Sequence, residues 1–358
     1  MKIEKIDKNL DIRSQTLSAS LRTYKIPDAH FALYGISYEE RSKSFVRMDT
    51  EIAQSVSEAV GVLARRLSGG RVCFTTNANC IRLTSTYEDF CRMPHMALTG
   101  SSGFSLLQQT ENGEQFVANL APIYTDEGGF TANAVLKGEG MRSYILYFPL
   151  YNEVNSLSLS FNEDATVLPY HPYRALAPIL YYGSSITQGG CASRPDNAYQ
   201  ALISKRNKID FINLGFSGSA RAESLLVKYM GGINCSLFVC DYDHNAPTVE
   251  YLQATHYALY ETYRSLQPNV PILFISKPDI QLDENGIKRD KIIRSTYQRA
   301  RKQGDNNVYF LSGKSFYANK DCWNFSVEGC HPTDYGFAVM AEKIYKKICK
   351  IDNKFAGE

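Results

Sequence analysis

The chain has 358 residues, 44% of them hydrophobic and 21% charged. That is enough apolar material for a sizeable core in about two domains, and it excludes a disordered, collagenous or disulfide-stapled chain. The 39 Lys and Arg residues against 37 Asp and Glu leave a formal net charge of +2, so no global basic field calls for nucleic acid or an anionic membrane.

The opening residues, MKIEKIDKNLDIRS, contain no apolar run of signal-peptide or transmembrane length. The nine cysteines are odd in number and irregular in spacing. Without a secretory signal, reduced thiols and a cytoplasmic location are expected. The pairs Cys73/Cys80 and Cys235/Cys240 match no common zinc spacing and read as buried structural thiols.

Up to about Tyr170 the pattern alternates with period two. One exception comes first: Val56 to Leu67 has the spacing of a short amphipathic helix ahead of Gly69-Gly70. Cys80 to Tyr87 then switches between apolar and polar. Gly103 to Leu120 reads as a hairpin whose Asn112-Gly113 pair suits a type I′ turn. Leu157, Leu159 and Phe161 alternate with serines. Short strands with turn signals predict a β-sandwich of jelly-roll type over residues 1–172. The segment Leu168 to Arg174 (LPYHPYR), stiffened by two prolines, serves as the connection.

Residues 173–358 change character. Short apolar runs at Pro178 to Tyr182, Phe211 to Leu214, Ser236 to Cys240, Ile272 to Ile275 and Val308 to Leu311 read as strands. Helical stretches around Asn197 to Lys205, Ala222 to Tyr229, Val249 to Ser265, Lys288 to Lys302 and Asp334 to Lys350 separate or follow them. Such alternation predicts right-handed crossovers and a doubly wound, flavodoxin-like parallel sheet.

Ligands of such a sheet bind beyond the carboxyl ends of its strands. The segments that follow the strands are Gly183-Ser-Ser-Ile-Thr-Gln-Gly-Gly190, Asn213-Leu-Gly-Phe-Ser-Gly-Ser219, Asp241-Tyr-Asp-His-Asn245 and Glu328-Gly-Cys-His-Pro-Thr-Asp334. They supply a hydroxyl, two glycine loops with accessible N–H groups, an amide and an imidazole, which are the parts acyl transfer needs. No Walker A loop, G-x-G-x-x-G order or G-x-S-x-G elbow is present.

These four blocks, in order over roughly residues 174–350, resemble those of the SGNH (GDSL) hydrolases. Gly183-Ser-Ser is similar to the first, usually Gly-Asp-Ser. Asn213 to Gly218, Tyr242 to Asn245 and Glu328 to Pro332 are similar to the other three. The resemblance implies Ser185 as nucleophile and His331 as general base. It implies an oxyanion hole from the Ser185 and Gly218 N–H groups and the Asn245 amide. Two positions depart from the pattern. Ser184 stands where the family has Asp, and Glu328 where it has the triad Asp, so Glu328 either orients His331 or leaves a Ser–His dyad.

The resemblance, with a β-rich leader like that of two-domain carbohydrate esterases, implies a serine esterase. It would release a small acyl group, acetyl foremost, from a small-molecule or oligosaccharide ester, with no metal or organic cofactor. A lipase-like or thioester acyl hydrolase is the alternative with the same site. A glycan-binding protein with a weakened hydrolase domain is the alternative of another class. No nucleic-acid or membrane partner is expected, and the assembly state is not legible. Four further groups are read as follows. Asp241, Asp243 and His244 read as loop hydrogen bonding rather than a metal site. Trp323 is either a pocket floor or core packing. Cys330 is set aside as a rival nucleophile because Ser185 has the matching loop. Ser105 is placed in a loop of the sandwich.

Overall fold

A computed structural model describes residues 6–7, 20–88, 90–278, 283–317 and 322–357. The opening stretch read above for targeting lies, apart from Ile6 and Asp7, outside the described residues. No helix among the described residues is long and apolar enough to cross a membrane. The chain folds into two compact units. The first takes the chain up to Val46, then Arg65–Pro172 and Ser193–Asp196. The second takes Arg47–Ala64, Tyr173–Ala192 and Asn197 onward.

The first unit is a sandwich of two antiparallel sheets. One has the order Leu21–Ile26, Ser156–Asn162, Cys80–Thr86, Gly129–Val135. The other has the order Val167–Pro169, Arg71–Thr76, Arg142–Tyr147, Phe104–Thr110, Gly113–Leu120, with Ala32–Tyr34 also on Arg71–Thr76. Period-two patterning explains the faces. Leu157, Leu159 and Phe161 turn inward, beside Leu83 and Ile81 of the neighbouring strand, and share one core with Phe74, Leu106, Tyr144 and Leu146 of the other sheet. Each such side chain, fully buried, stabilises the fold by roughly 1.5–3 kcal/mol.

Two local expectations need correction. In the hairpin, Thr110 pairs with Gly113, so Glu111 and Asn112 form the turn, and Gly113 alone takes positive φ, +96°. The single left-handed residue is the glycine that ends the turn, not a type I′ pair. Ser105 is not in a loop; it is buried within the strand Phe104–Thr110.

The second unit has five parallel strands in the order Phe211–Gly215, Ile179–Gly183, Leu237–Asp241, Ile272–Ile275, Val308–Leu311. In chain order this is 2-1-3-4-5, the flavodoxin-like arrangement. The three strands Ile179–Gly183, Leu237–Asp241 and Ile272–Ile275 are buried throughout, as a sheet covered on both faces requires. The long helices start where side-chain oxygens accept orphan N–H groups. Thr248 caps Val249–Leu266, Asp283 caps Glu284–Lys302 and Thr333 caps Asp334–Ile351.

Residues 47–64 join this unit although they precede most of the sandwich. The helix expected over Val56 to Leu67 is Glu58–Ala64, and a second, unexpected helix, Thr50–Val56, precedes it across extended Ser57, whose hydroxyl accepts from Val60 N. Ala53, Val60 and Ala64 pack into the core that holds Leu180, Leu214 and Phe216. Arg47 donates to the Asn213 carbonyl at 2.8 Å and the Leu63 carbonyl at 2.7 Å, with its guanidinium 5.0 Å from the Phe216 ring centre.

Candidate active site

Three strands of the second unit end at one level, because Gly183 pairs in register with both Gly215 and Asp241. Ser185 opens a short helix, Ser185–Gln188, directly after the first of them. Ser184 is its cap, its hydroxyl accepting from Ile186 N at 3.2 Å. The departure from Asp at this position therefore keeps an N-cap acceptor.

Glycine is required underneath. A Cβ at Gly183 would lie 2.1 Å from Asp241 Oδ1, and one at Gly215 would lie 2.2 Å from Gln188 N. The missing side chains let the short helix sit close on the strand ends. Polar groups then fix it. Thr187 Oγ1 donates to Asp241 Oδ1 at 2.5 Å, and the Thr187 carbonyl accepts from Asn213 Nδ2 and Gln200 Nε2, each at 2.7 Å.

His331 Nε2 lies 2.8 Å from Ser185 Oγ, and His331 Nδ1 lies 2.6 Å from Glu328 Oε1. An ionised carboxylate only accepts, so Nδ1 carries the ring proton and Nε2 is left to accept from the serine hydroxyl. Glu328 Oε1 also accepts from the His331 backbone N–H at 3.0 Å. Gly329, at φ +90°, turns the chain between them. The extra methylene of Glu over Asp thus still reaches the ring.

Gly218 and Asn245 join this arrangement through their loops. Gln188 Oε1 accepts from Ser217 N at 3.0 Å, which ties the Gly218 loop to the Ser185 helix. Gly218 sits at φ +69° with open space around it. Asn245 Oδ1 accepts from Ala220 N at 3.4 Å, which spends the oxygen locally and leaves the amide hydrogens to point elsewhere.

Two carboxyls lie buried at and just beyond the end of the strand Leu237–Asp241. Burial pushes Asp241 up to about 8, against the hydrogen bond from Thr187. Burial also pushes Asp243 up to about 6, although it accepts from Lys277 N at 3.0 Å. Desolvation, with Lys277, His331 and Arg289 nearby, holds His244 well below its ordinary value. Asp241 serves the Ser185 helix and Asp243 the chain after Ile272–Ile275, so both are engaged in hydrogen bonding.

Sequence reasoning missed Cys191. Its thiol, a Glu328 carboxylate oxygen and a His331 ring nitrogen all lie within 4.8 Å of one another. Burial, then Glu328 and Cys330, push the Cys191 thiol up to about 12, so it is no ready nucleophile. Cys330 Sγ is 3.9 Å from His244 Nδ1. Trp323 is not core packing; it is 68% exposed in the segment before Glu328. Cys73, Cys80, Cys235 and Cys240 are buried and outside any disulfide.

Two family models match the chain, one after the other. Residues 177–349 match the model of the GDSL-like lipase/acylhydrolase family, and residues 23–167 match that of the N-terminus of SGNH-hydrolase-type esterases. No curated protein sequence matches the chain. Among solved structures, a protein from Bacteroides ovatus ATCC 8483 described as a GDSL-like lipase is 27% identical with a TM-score of 0.84, over 93% of this chain and 98% of that one. The salicylyl-acyltransferase SsfX3 of a tetracycline biosynthetic pathway is 16% identical with a TM-score of 0.75, over 92% and 97%. An acetyl xylan esterase from the rumen bacterium Butyrivibrio proteoclasticus is 12% identical with a TM-score of 0.60, over 92% and 98%. The latter two likenesses speak to the fold. The two parts are matched in order: residues 177–349 belong to the GDSL-like lipase/acylhydrolase family and residues 23–167 match the N-terminus of SGNH-hydrolase-type esterases, and the chain is an ester hydrolase of the SGNH type.

Proposed function

We propose that this ester hydrolase removes a small acyl group, acetyl foremost, from a carbohydrate, with Ser185 as nucleophile and His331 as general base. The observation that carries the reading is the chain from Ser185 Oγ to His331 Nε2 and from Nδ1 to Glu328, at 2.8 and 2.6 Å. As Ser185 Oγ attacks the ester carbonyl, Nε2 takes its proton, and Glu328 holds the ring and stabilises the imidazolium. The oxyanion is held by the N–H groups of Ser185 and Gly218 and by the Asn245 amide. His331 then returns the proton to the departing sugar oxygen. Water, activated by the same ring, releases the acid from the acyl-serine.

The sugar acceptor is supported by the fold shared with an acetyl xylan esterase. The test is a side-by-side screen of acetylated sugars, p-nitrophenyl esters of increasing chain length and acyl thioesters. Preference for acetyl on sugar hydroxyls supports the reading. Preference for long acyl chains or thioesters replaces it with a lipase-like or thioester hydrolase.

A further inference from the structure

Cys191 has no part in the acyl-transfer scheme, yet it stands beside the pair that scheme depends on. It follows the Ser185 helix and its two glycines, is 8% exposed, and takes φ +73°, an unusual angle for a residue with a side chain. Its sulfur, a Glu328 oxygen and a His331 nitrogen fall within 4.8 Å of one another. A thiolate, an imidazole and a carboxylate form a donor set suited to zinc and its softer congeners. In a tetrahedral zinc site with bonds of about 2.0–2.3 Å, ligand atoms sit roughly 3.3–3.8 Å apart. From a separation within 4.8 Å, reaching that spacing takes a closure of about 1 Å. Solvent reaches the group, because the Glu328 side chain is 44% exposed and that of His331 24%.

We propose that Cys191, Glu328 and His331 form an inhibitory site for a thiophilic divalent cation, Zn²⁺ or Cd²⁺, that shuts the enzyme reversibly. The binding step needs no oxidant. The thiol proton goes to water and sulfur, nitrogen and oxygen lone pairs go to the ion. The inhibition follows from the two nitrogens of one ring. If the ion takes Nδ1, the ring proton moves to Nε2, which then donates and cannot accept the proton of Ser185. If the ion takes Nε2, that lone pair is occupied outright. Either way Glu328 is drawn onto the metal and away from orienting the ring. The inhibitory consequence rests on His331 acting as the base proposed above; the metal site itself does not.

The test uses the full chain after treatment with a chelator. Zn²⁺ is titrated against p-nitrophenyl acetate hydrolysis, and Co²⁺ binding is followed by its thiolate-to-cobalt charge-transfer absorption. Inhibition reversed by chelator is expected, together with a cobalt–thiolate band. Cys191→Ser and Cys191→Ala should keep the metal-free rate, lose the band and need roughly 10–100-fold more Zn²⁺ for half inhibition. Cys330→Ala should change neither. The proposal is overturned if the wild-type protein gives no cobalt–thiolate band, if Cys191 variants are inhibited at the same Zn²⁺ concentration, or if the effect follows Cys330. The cobalt band is read on the wild-type chain, so it decides even if the variants fold poorly. A band without any esterase activity would keep the metal site and reject the proposed base.

Discussion

Ser185 Oγ and His331 Nε2 lie 2.8 Å apart although 146 positions separate them in the chain. One begins a helix after the strand Ile179–Gly183, and the other ends a turn just before the helix Asp334–Ile351. A parallel sheet brings such distant points together because its loops gather at the carboxyl ends of the strands. Ser185→Ala should therefore lower kcat for p-nitrophenyl acetate by roughly 10⁴–10⁶-fold. A serine-directed phosphonate should label the wild-type protein once, at Ser185. Full hydrolysis by clean Ser185→Ala protein would move the nucleophile elsewhere.

Glu328 makes two contacts through one oxygen, to the ring Nδ1 and to the backbone N–H of His331. Glu328→Gln keeps an acceptor of the same length but removes the charge that stabilises the imidazolium. We expect kcat to fall by roughly 10- to 10⁴-fold with KM little changed. Glu328→Ala should fall further, because the turn through Gly329 also loses its tie. A wild-type rate for Glu328→Gln would leave His331 working with Ser185 alone.

Of the three proposed oxyanion donors, Asn245 and Gly218 are separable because one offers a side chain and the other a backbone N–H. Asn245→Ala removes its donor and should cost roughly 10²–10³-fold in kcat. Gly218→Ala keeps the N–H. An added Cβ there meets nothing within 4 Å, so the substitution costs only the strain of a left-handed Ala, about 1 kcal/mol. Its kcat should stay well above that of Asn245→Ala. Equal losses in the two variants would mean that Gly218 is needed for its conformation rather than its hydrogen.

Much of this architecture is legible in the residues because it is local. Leu157, Leu159 and Phe161 declare a strand by alternation, whereas the helix expected to begin near Lys288 begins at Glu284, where the Asp283 carboxylate caps it. The loops after the strands declare their chemistry by residue type. What escapes is carried by contacts between distant segments. Nothing in residues 47–64 says that Arg47 will cap the carbonyl of Asn213, or that the two helices following it will pack beside Leu214. Cys191 has no motif around it, and only folding sets its sulfur beside Glu328 and His331. The hairpin turn is misplaced by one residue because an Asn-Gly pair also suits a turn that ends, rather than centres, on its glycine.

Asp241 offers a test that does not depend on turnover. It is 2% exposed, and burial raises its carboxyl to about 8, whereas an Asp in the unfolded chain titrates near 3.9. Between these values the folded protein holds a proton that the unfolded chain has released. Stability should therefore fall as pH rises through this window, by up to about 1.4 kcal/mol per pH unit from this group. Asp243, raised to about 6, adds a contribution of the same sign but only at the acid end of the window. The interval from pH 6 to 8 accordingly belongs to Asp241 among the two. Asp241→Asn keeps an oxygen for Thr187 and cannot ionise, so its urea midpoints should vary less across that interval than those of the wild type. Relative to the wild type, the variant should gain stability as the pH rises toward 8. If both proteins show the same slope between pH 6 and 8, Asp241 is already ionised in the folded state, and the hydrogen bond from Thr187 outweighs its burial.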